Sequence, residues 1–381
     1  MDDKIYLNRP SLQPLTEFIP YLEKIWDNKW LTKNARYHQA LEAALVAFLG
    51  VKYIYLFTNY TLAFMLALQC LRITGEVITT PYGFVATTHE LYWNDITPVF
   101  ADIEPQTCNL DPDKIEAAIT TKTTSIMPVH VYDNPCNINR IQETADAYGL
   151  HLIYDAAQAI DSFYTGYDGV KRPLGSIGHL GAFSFHETKN IQCGEGGMLV
   201  VNAPEFFERA EIIWKKGTNR AAFFRGEVDK YGWVDIGSSF LPSEIITAFL
   251  WAQLENLDDI QNRRKSIWKA YWEGLDDWAK RTEIKLPHIP NYASNNAHLF
   301  YLVLNNLEQR TNFIKKLRNQ EILTVFHYLS LHKSPFYQSK HDGRKLQESD
   351  RYSNCLVRLP FFVDIQEADQ EHIKKVLNEF C

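Results

Sequence analysis

The chain has 381 residues, 46% hydrophobic and 22% charged, an ordinary balance for a soluble globular protein, and its formal net charge is −7. That charge, with no basic tract, argues against nucleic acid as the main partner, and no apolar run approaches the roughly 20 residues a membrane helix needs. The length exceeds one ordinary core, so two domains, or one large and one small, are expected.

Taken in order, the chain opens on Met1-Asp-Asp-Lys-Ile5, without a charged-then-apolar leader, and a cytoplasmic address is the expectation. Residues 1–30 read as a Pro- and aromatic-rich arm followed by a short helix, Leu15 to Trp26, and Tyr37 to Leu49 reads as a second helix stopped at Gly50. Strands are then expected at Tyr53–Phe57, Glu76–Thr80, Thr97–Ile103, Thr124–Tyr132, His151–Tyr154, Gly181–Phe185 and Met198–Val201. Helical patterns lie between most of them: Leu62–Leu71, Val85–Trp93, Asp113–Ile119 and Asn137–Tyr148. Several of these strands are continuous apolar runs, which suits a sheet covered on both faces. Seven strands with interposed helices specify an α/β fold with a largely parallel sheet, whose sites gather at the carboxyl ends of strands.

Helices follow at Glu205–Lys216 and Ser243–Leu257, separated by the long aromatic stretch Gly217 to Pro242. Connections of that length are usually functional or disordered, and Phe223, Phe224, Tyr231 and Trp233 argue against disorder. A long helix, Asp258 to Trp278, leads away from the sheet. Beyond it a strand (His298–Leu304), a helix (Gln309–Asn319), two short strands (Thr324–Tyr328 and Leu356–Pro360) and a closing helix (Glu367–Phe380) form a small α+β domain. The division is therefore 1–257, arm and large domain, and 258–381, linking helix and small domain. Six scattered cysteines (Cys70, Cys108, Cys136, Cys193, Cys355, Cys381) show no Cys-x-x-Cys spacing and read as reduced thiols; no His/Cys/Asp/Glu spacing recommends a metal.

The chemistry centres on two runs. His151-Leu-Ile-Tyr-Asp-Ala-Ala-Gln158 is a buried-looking strand ending on Asp155, and Phe183-Ser-Phe-His-Glu-Thr-Lys-Asn190 delivers Ser184 and Lys189 into a loop closed by the glycines of Gly194-Glu-Gly-Gly197. Taken singly, Asp155 could be a helix N-cap, Lys189 a solvated loop lysine and Ser184 a serine satisfied by backbone. Together, a lysine for the aldehyde and a carboxylate for the ring nitrogen are what pyridoxal 5′-phosphate (PLP, with its amino form PMP) requires of a protein.

These runs, with the stretch from Lys216-Gly-Thr-Asn-Arg220 to Asp235-Ile-Gly-Ser-Ser239, resemble the DegT/DnrJ/EryC1 family of PLP-dependent sugar aminotransferases, within the fold-type I aminotransferases, over nearly the whole chain. The resemblance implies the catalytic lysine at Lys189, the ring-nitrogen partner at Asp155, the ring-hydroxyl neighbour at Gln158, a phosphate hydroxyl at Ser184 and a ring stacker at Phe84. Phosphate would also meet backbone at Tyr60 and Thr61, where a helix N-terminus binds anions. There the commoner family pattern is Asn-Gly-Thr, so Asn59-Tyr60-Thr61 cannot use a glycine-only conformation. Where many relatives supply an asparagine from a neighbouring subunit, this chain has Leu241.

Candidates to meet substrate are His186, His327 and Arg220, with Arg225 as a further arginine in the long loop. The expected reaction moves an amino group from L-glutamate to C4 of a dTDP-4-keto-6-deoxyhexose in a homodimer, giving the galacto product because the 216–239 block matches that activity best; a surface glycan such as O-antigen is the implied pathway. The gluco epimer and a 3-amino or GDP-linked sugar are the alternatives. A sugar 3-dehydratase would carry histidine in place of Lys189, and a non-enzymatic module would be expected to lose Lys189 or Asp155.

Overall fold

The computed structural model describes residues 4–32 and 34–379. Its large sheet contains β1 (Tyr53–Phe57), β2 (Glu76–Thr79), β3 (Thr97–Phe100), β4 (Thr123–Met127), β5 (His151–Asp155), β8 (Leu180–Ser184) and β9 (Gly197–Val201), in the order β1-β9-β8-β5-β4-β2-β3. A short hairpin, β6 (Phe163–Thr165) with β7 (Lys171–Pro173), stands beside it. All neighbours in the large sheet pair in parallel except β9, which is antiparallel to both β1 and β8. This is the mostly parallel α/β sheet that the strand pattern specifies.

Side chains alternate across the sheet with period two, and the two faces bury separate cores. Ile54 and Leu56 of β1 join Met198 and Val200 of β9 on one face, against helices Arg36–Leu49 and Glu244–Glu255. Tyr55 and Phe57 join Leu199 and Val201 on the other, against helices Tyr60–Cys70 and Phe207–Trp214. Helix Tyr60–Cys70 buries residues on nearly every side, as a helix held between layers must. Its start is fixed by the Asn59 side chain, which accepts from the Leu62 N–H at 3.0 Å.

A third core lies beyond the sheet. Helix Leu257–Thr282 turns Ile267, Tyr271, Leu275 and Trp278 inward at helical spacing, against β10 (Tyr301–Val303), β11 (Leu356–Arg358) and helix Glu367–Asn378. The amino-terminal arm belongs to this core: Ile5 bridges to Ile322, and Leu7 accepts from the Phe361 N–H. Among the described residues no helix is long and apolar enough to cross a membrane.

Several expected elements differ. Thr124–Tyr132 is broken after Met127 because Pro128 offers no N–H, and the chain turns at Tyr132 and Asp133, both at positive φ. Thr97–Ile103 stops as a strand at Phe100, and Thr324–Tyr328 makes only a single bridge, Val325 to Arg358. Helix Gln347–Cys355 was not expected, being rich in polar residues. Phe380, the expected end of the last helix, and Cys381 lie outside the described residues.

The long connection after helix Phe207–Trp214 is ordered by close backbone packing. Gly217 sits at φ +69°, and a Cβ there would lie 1.9 Å from the Asp235 carbonyl oxygen. Gly217→Ala should therefore lower stability by about 2–4 kcal/mol, from left-handed strain plus overpacking. Gly226, also at positive φ (+76°) but open around its Cβ, gives the control, with Gly226→Ala costing only about 1 kcal/mol. Urea denaturation of the two variants checks the difference, and equal losses would show that the close approach is unimportant.

Candidate active site

Strands β1, β4, β5 and β8 end on the same edge of the sheet, and a cavity of about 490 Å³ opens there. Asp155 closes β5 and is buried. Its Oδ1 accepts from the Ala157 N–H at 2.9 Å and its Oδ2 from the Thr87 hydroxyl at 2.5 Å. Burial raises its pKa from the usual carboxylate value, and these hydrogen bonds, with the charge of Lys189, oppose the rise. The carboxylate thus stands buried on the cavity wall with no ion-pair partner among the described residues.

Lys189 lies in the loop between β8 and β9. Backbone bonds fold that loop tightly: Phe185 N–H to Gly196 O, Glu187 N–H to Gly194 O, and Lys189 N–H to His186 O, each 2.9 Å. The next residue bolts it down. Asn190 is buried, and its Nδ2 donates to Gln261 Oε1 and to the Asn296 carbonyl, both at 2.9 Å. The Lys189 pKa falls from 10.5 to about 8, chiefly through burial; the charge of Asp155 opposes the fall and that of Arg358 adds to it. A neutral amine is the form that attacks an aldehyde.

Tyr60 and Thr61 form the first turn of helix Tyr60–Cys70, and both line the cavity. Tyr60 is an ordinary first helical residue, absent from the positive-φ positions, so this loop needs no glycine at Tyr60. The glycine requirement falls instead on Gly197, whose Cβ would lie 2.5–2.6 Å from the Asn59 carbonyl and the Tyr60 nitrogen. That packing gives the glycine cluster a reason. Ser184 ends β8 opposite Gly197 and accepts from the His186 N–H at 3.3 Å. Phe84 lines the cavity with its ring 59% exposed, although phenylalanine is usually buried. Gln158 accepts from the Tyr132 N–H at 2.7 Å and donates to the Tyr328 hydroxyl at 2.9 Å.

The substrate candidates separate. His186 lines the cavity, its Nδ1 3.0 Å from the Thr188 hydroxyl and its Nε2 3.7 Å from Glu195. His327 lines it as well, with Nδ1 3.1 Å from Arg358. Arg220 does not: it begins the short helix Arg220–Phe224 and lies over the rings of Phe224 and Tyr231. Arg225 pairs with Glu211 and Glu227, and Leu241 packs against the apolar core beside helix Tyr60–Cys70.

Other residues reach the cavity without having been singled out: Thr87, His298, Tyr328 and Arg358. Tyr328 adjoins His327, and a two-residue reading of that segment would have found it. Arg358 carried a signal of its own, a charge inside the apolar run Leu356-Val-Arg-Leu-Pro360.

A phosphorylated pyridine aldehyde fits this donor set. The lysine amine is desolvated, the buried carboxylate lacks a cation, a helix N-terminus faces the same space, and an exposed ring stands at the wall. The amine can be tested without cofactor. Labelling of Lys189 in the PLP-free protein with a limiting amine-selective reagent, followed by mass spectrometry, should rise with pH through a midpoint near 8. A midpoint near the ordinary 10.5 would mean that the amine is solvated.

Comparison with known proteins agrees with this geometry. Residues 15–378 match the DegT/DnrJ/EryC1/StrS aminotransferase family. A dTDP-4-amino-4,6-dideoxy-D-glucose transaminase of Escherichia coli is 38% identical over 99% of this chain and 99% of its own length. One of the same name from Shigella dysenteriae is 45% identical over 73% of this chain and 72% of its own. A crystal structure of DesI in the presence of its TDP-sugar product superposes with a TM-score of 0.88 at 26% identity, covering 100% of this chain and 93% of that one. The chain belongs to the DegT/DnrJ/EryC1/StrS aminotransferase family and is a PLP-dependent sugar aminotransferase.

Proposed function

We propose that the protein moves an amino group from L-glutamate to C4 of a dTDP-linked 4-keto-6-deoxyhexose. The observation that carries this reading is the placement of an amine lowered to about 8 and a buried carboxylate on one cavity, at the ends of neighbouring strands. Bound PLP supplies an electron-withdrawing ring that eases proton loss from the carbon beside the substrate nitrogen. Lys189 would hold the cofactor through its aldehyde, and its Nζ, freed by the donor's amine, would take the proton from the donor's α-carbon. In the second half of the cycle Nζ gives a proton to C4 of the sugar, from one fixed face. Asp155, its carboxylate held in place by Thr87 and the Ala157 N–H, would keep a proton on the ring nitrogen. Of the residues lining the cavity, Tyr60 and Thr61 would hold the phosphate with their amides and Ser184 with its hydroxyl, Phe84 would support the ring and Gln158 would meet its hydroxyl.

Similarity to the two dTDP-4-amino-4,6-dideoxy-D-glucose transaminases favours the gluco configuration at C4. The galacto product expected from the 216–239 block is the second reading. His186 and His327 line the cavity, which supports them as the residues that meet the sugar. Arg220 would meet substrate only from a second copy of the chain. Its segment exposes Phe224, Trp233, Val234 and Ile236, an apolar patch that supports a homodimer. An apolar core of its own, joined by Ile5 of the arm, supports a second unit beyond residue 257, while another core packs Tyr82, Ile103 and Val131 with Tyr301, Tyr352 and Leu356 across that boundary. The five described cysteines are buried and free, which supports a reducing, cytoplasmic setting.

Two experiments test the proposal. Incubation with PLP, L-glutamate and dTDP-4-keto-6-deoxyglucose should give an aminated sugar, and NMR ring-proton couplings then read the C4 configuration. Large couplings at H4, from an equatorial amine, mean gluco; a small H3–H4 coupling means galacto; no aminated sugar removes the substrate assignment. Lys189→Ala should cost at least about 10²–10⁴-fold in turnover, the range of a lost general base. A smaller loss would remove Lys189 from the chemistry.

A further inference from the structure

Tyr60 brings to the cavity a side chain that an Asn-Gly-Thr pattern would lack. Its ring is only 8% exposed and stacks on Phe64, one turn along the same helix, with centroids 5.3 Å apart. The hydroxyl is buried and, among the described residues, has no hydrogen-bond partner of good geometry. An unpaired buried hydroxyl is destabilising, and phenylalanine would fill the same space without one. What this oxygen faces is therefore informative.

It faces side chains on two other elements. Asp155 ends β5, and Thr87 and Glu90 lie one turn apart on helix Val85–Trp93. Burial, then the charge of Asp155, push the Tyr60 phenol well above its ordinary pKa, so at neutral pH it is an O–H donor. Glu90 is one possible acceptor: its Oε2 is buried and unpartnered, and burial lifts its pKa to about 7. Asp155 is the other. The two carboxyl groups differ in what the phenol does to them. Thr87, the Ala157 N–H and the Tyr60 hydroxyl all oppose the effect of burial on Asp155, whereas burial alone acts on Glu90. Tyr60, Thr87 and Asp155 also line one cavity, and Glu90 is not among its lining residues.

Asp155 has room for a further donor. Its Oδ1 accepts from the Ala157 N–H and its Oδ2 from the Thr87 hydroxyl. A carboxylate offers about four lone-pair sites, which leaves one for a ring nitrogen and one more. We propose that Tyr60 is a positioning residue for the cofactor's ring nitrogen: its hydroxyl donates to Asp155 and holds that carboxylate as an anion. The assignment rests on the aminotransferase reading above. A proton shared between the ring nitrogen and the carboxylate goes to the more basic of the two. Each donor makes the carboxylate less basic, so the hydroxyl keeps the proton on the ring, which then draws electrons from the substrate carbon. The first residue of helix Tyr60–Cys70 thereby serves two parts of the cofactor, the phosphate with its amide and the ring nitrogen's partner with its side chain.

The test loads the wild type, Tyr60→Phe and Glu90→Gln with PLP carrying nitrogen-15 in its ring and reads that nitrogen by NMR. The wild type should give a pyridinium signal. Tyr60→Phe should move it toward neutral pyridine and raise the pH midpoint at which the visible absorbance of lysine-bound PLP changes. It should also weaken PLP about threefold to tenfold, the loss of one hydrogen bond. Glu90→Gln should leave the ring signal in place. An unchanged ring signal in Tyr60→Phe overturns the proposal whatever happens to affinity, because weaker binding alone would be packing. An equal movement in Glu90→Gln assigns the hydroxyl to Glu90 and overturns it as well. Should Tyr60→Phe not hold PLP, the PLP-free protein decides. The NMR signal of the Tyr60 carbon that bears the hydroxyl should then change in Asp155→Asn and not in Glu90→Gln, and any other pattern overturns the proposal. Lysine-bound PLP absorbance in the wild type reads the parent assignment separately. Its absence would remove the aminotransferase site and leave the PLP-free signal to judge Tyr60 and Asp155.

Discussion

The site depends on keeping two opposite charges apart inside one desolvated space. Strands β5 and β8 pair in parallel with Asp155 opposite Ala182, which brings the carboxylate and the Lys189 loop to the same sheet edge. Among the described residues the two make no salt bridge; each only feels the other's charge, which raises the lysine pKa and lowers the aspartate's. A contact pair would hold Lys189 as an ammonium and remove its nucleophile. Separation lets desolvation dominate at both groups. The lysine sheds its proton more readily, and the carboxylate is left without a cation among the described residues.

Much of the surrounding structure enforces that separation. Asp155 is held from one side by Thr87, on helix Val85–Trp93, and from the other by the Ala157 N–H. The lysine loop is held through Asn190, which reaches both the long helix at Gln261 and residue Asn296. Asn296 and His298 donate their N–H groups to the buried Asp133, and Arg264 takes the neighbouring carbonyls. Burial lifts the Asp133 pKa to about 7 even with these donors, so this brace between the sheet and the carboxyl-terminal core is built under electrostatic cost.

The parts of this arrangement that were readable in sequence are those carried by contiguous runs. Asp155 and Lys189 each end or follow an apolar strand, and those continuous apolar runs located the strands to within a residue or two. The substitution of tyrosine for glycine at Tyr60 raised a question that only backbone geometry answers: the residue is helical, and the tight approach is made from Gly197. Arg358, His298 and Tyr328 were missed for a different reason. They come from segments more than a hundred residues beyond Lys189, and the pattern of apolar residues tells which face of an element is buried but not which distant element it faces. Arg220 illustrates the converse, for a motif block marks a segment without saying whether its side chains point into the same chain's cavity.

Charge and shape divide the labour of recognition. The protein as a whole is negative by 7, and the cavity lining sets Lys189 and Arg358 against Asp155 and Glu195. Charge can bring in a dicarboxylate or a nucleotide sugar, but it cannot distinguish an axial from an equatorial substituent at C4. That distinction needs neutral groups with fixed direction, and two histidines have it. Asn190 Nδ2 is committed to two acceptors, so its Oδ1 must face His298 Nδ1, 3.0 Å away, and that nitrogen donates. His298 is thereby left with an acceptor at Nε2, while His327, accepting from Arg358 at Nδ1, is left with a donor. One cavity thus holds two neutral imidazoles of opposite polarity, each locked by a partner that cannot reverse its role, and a sugar hydroxyl that suits one does not suit the other in the same orientation.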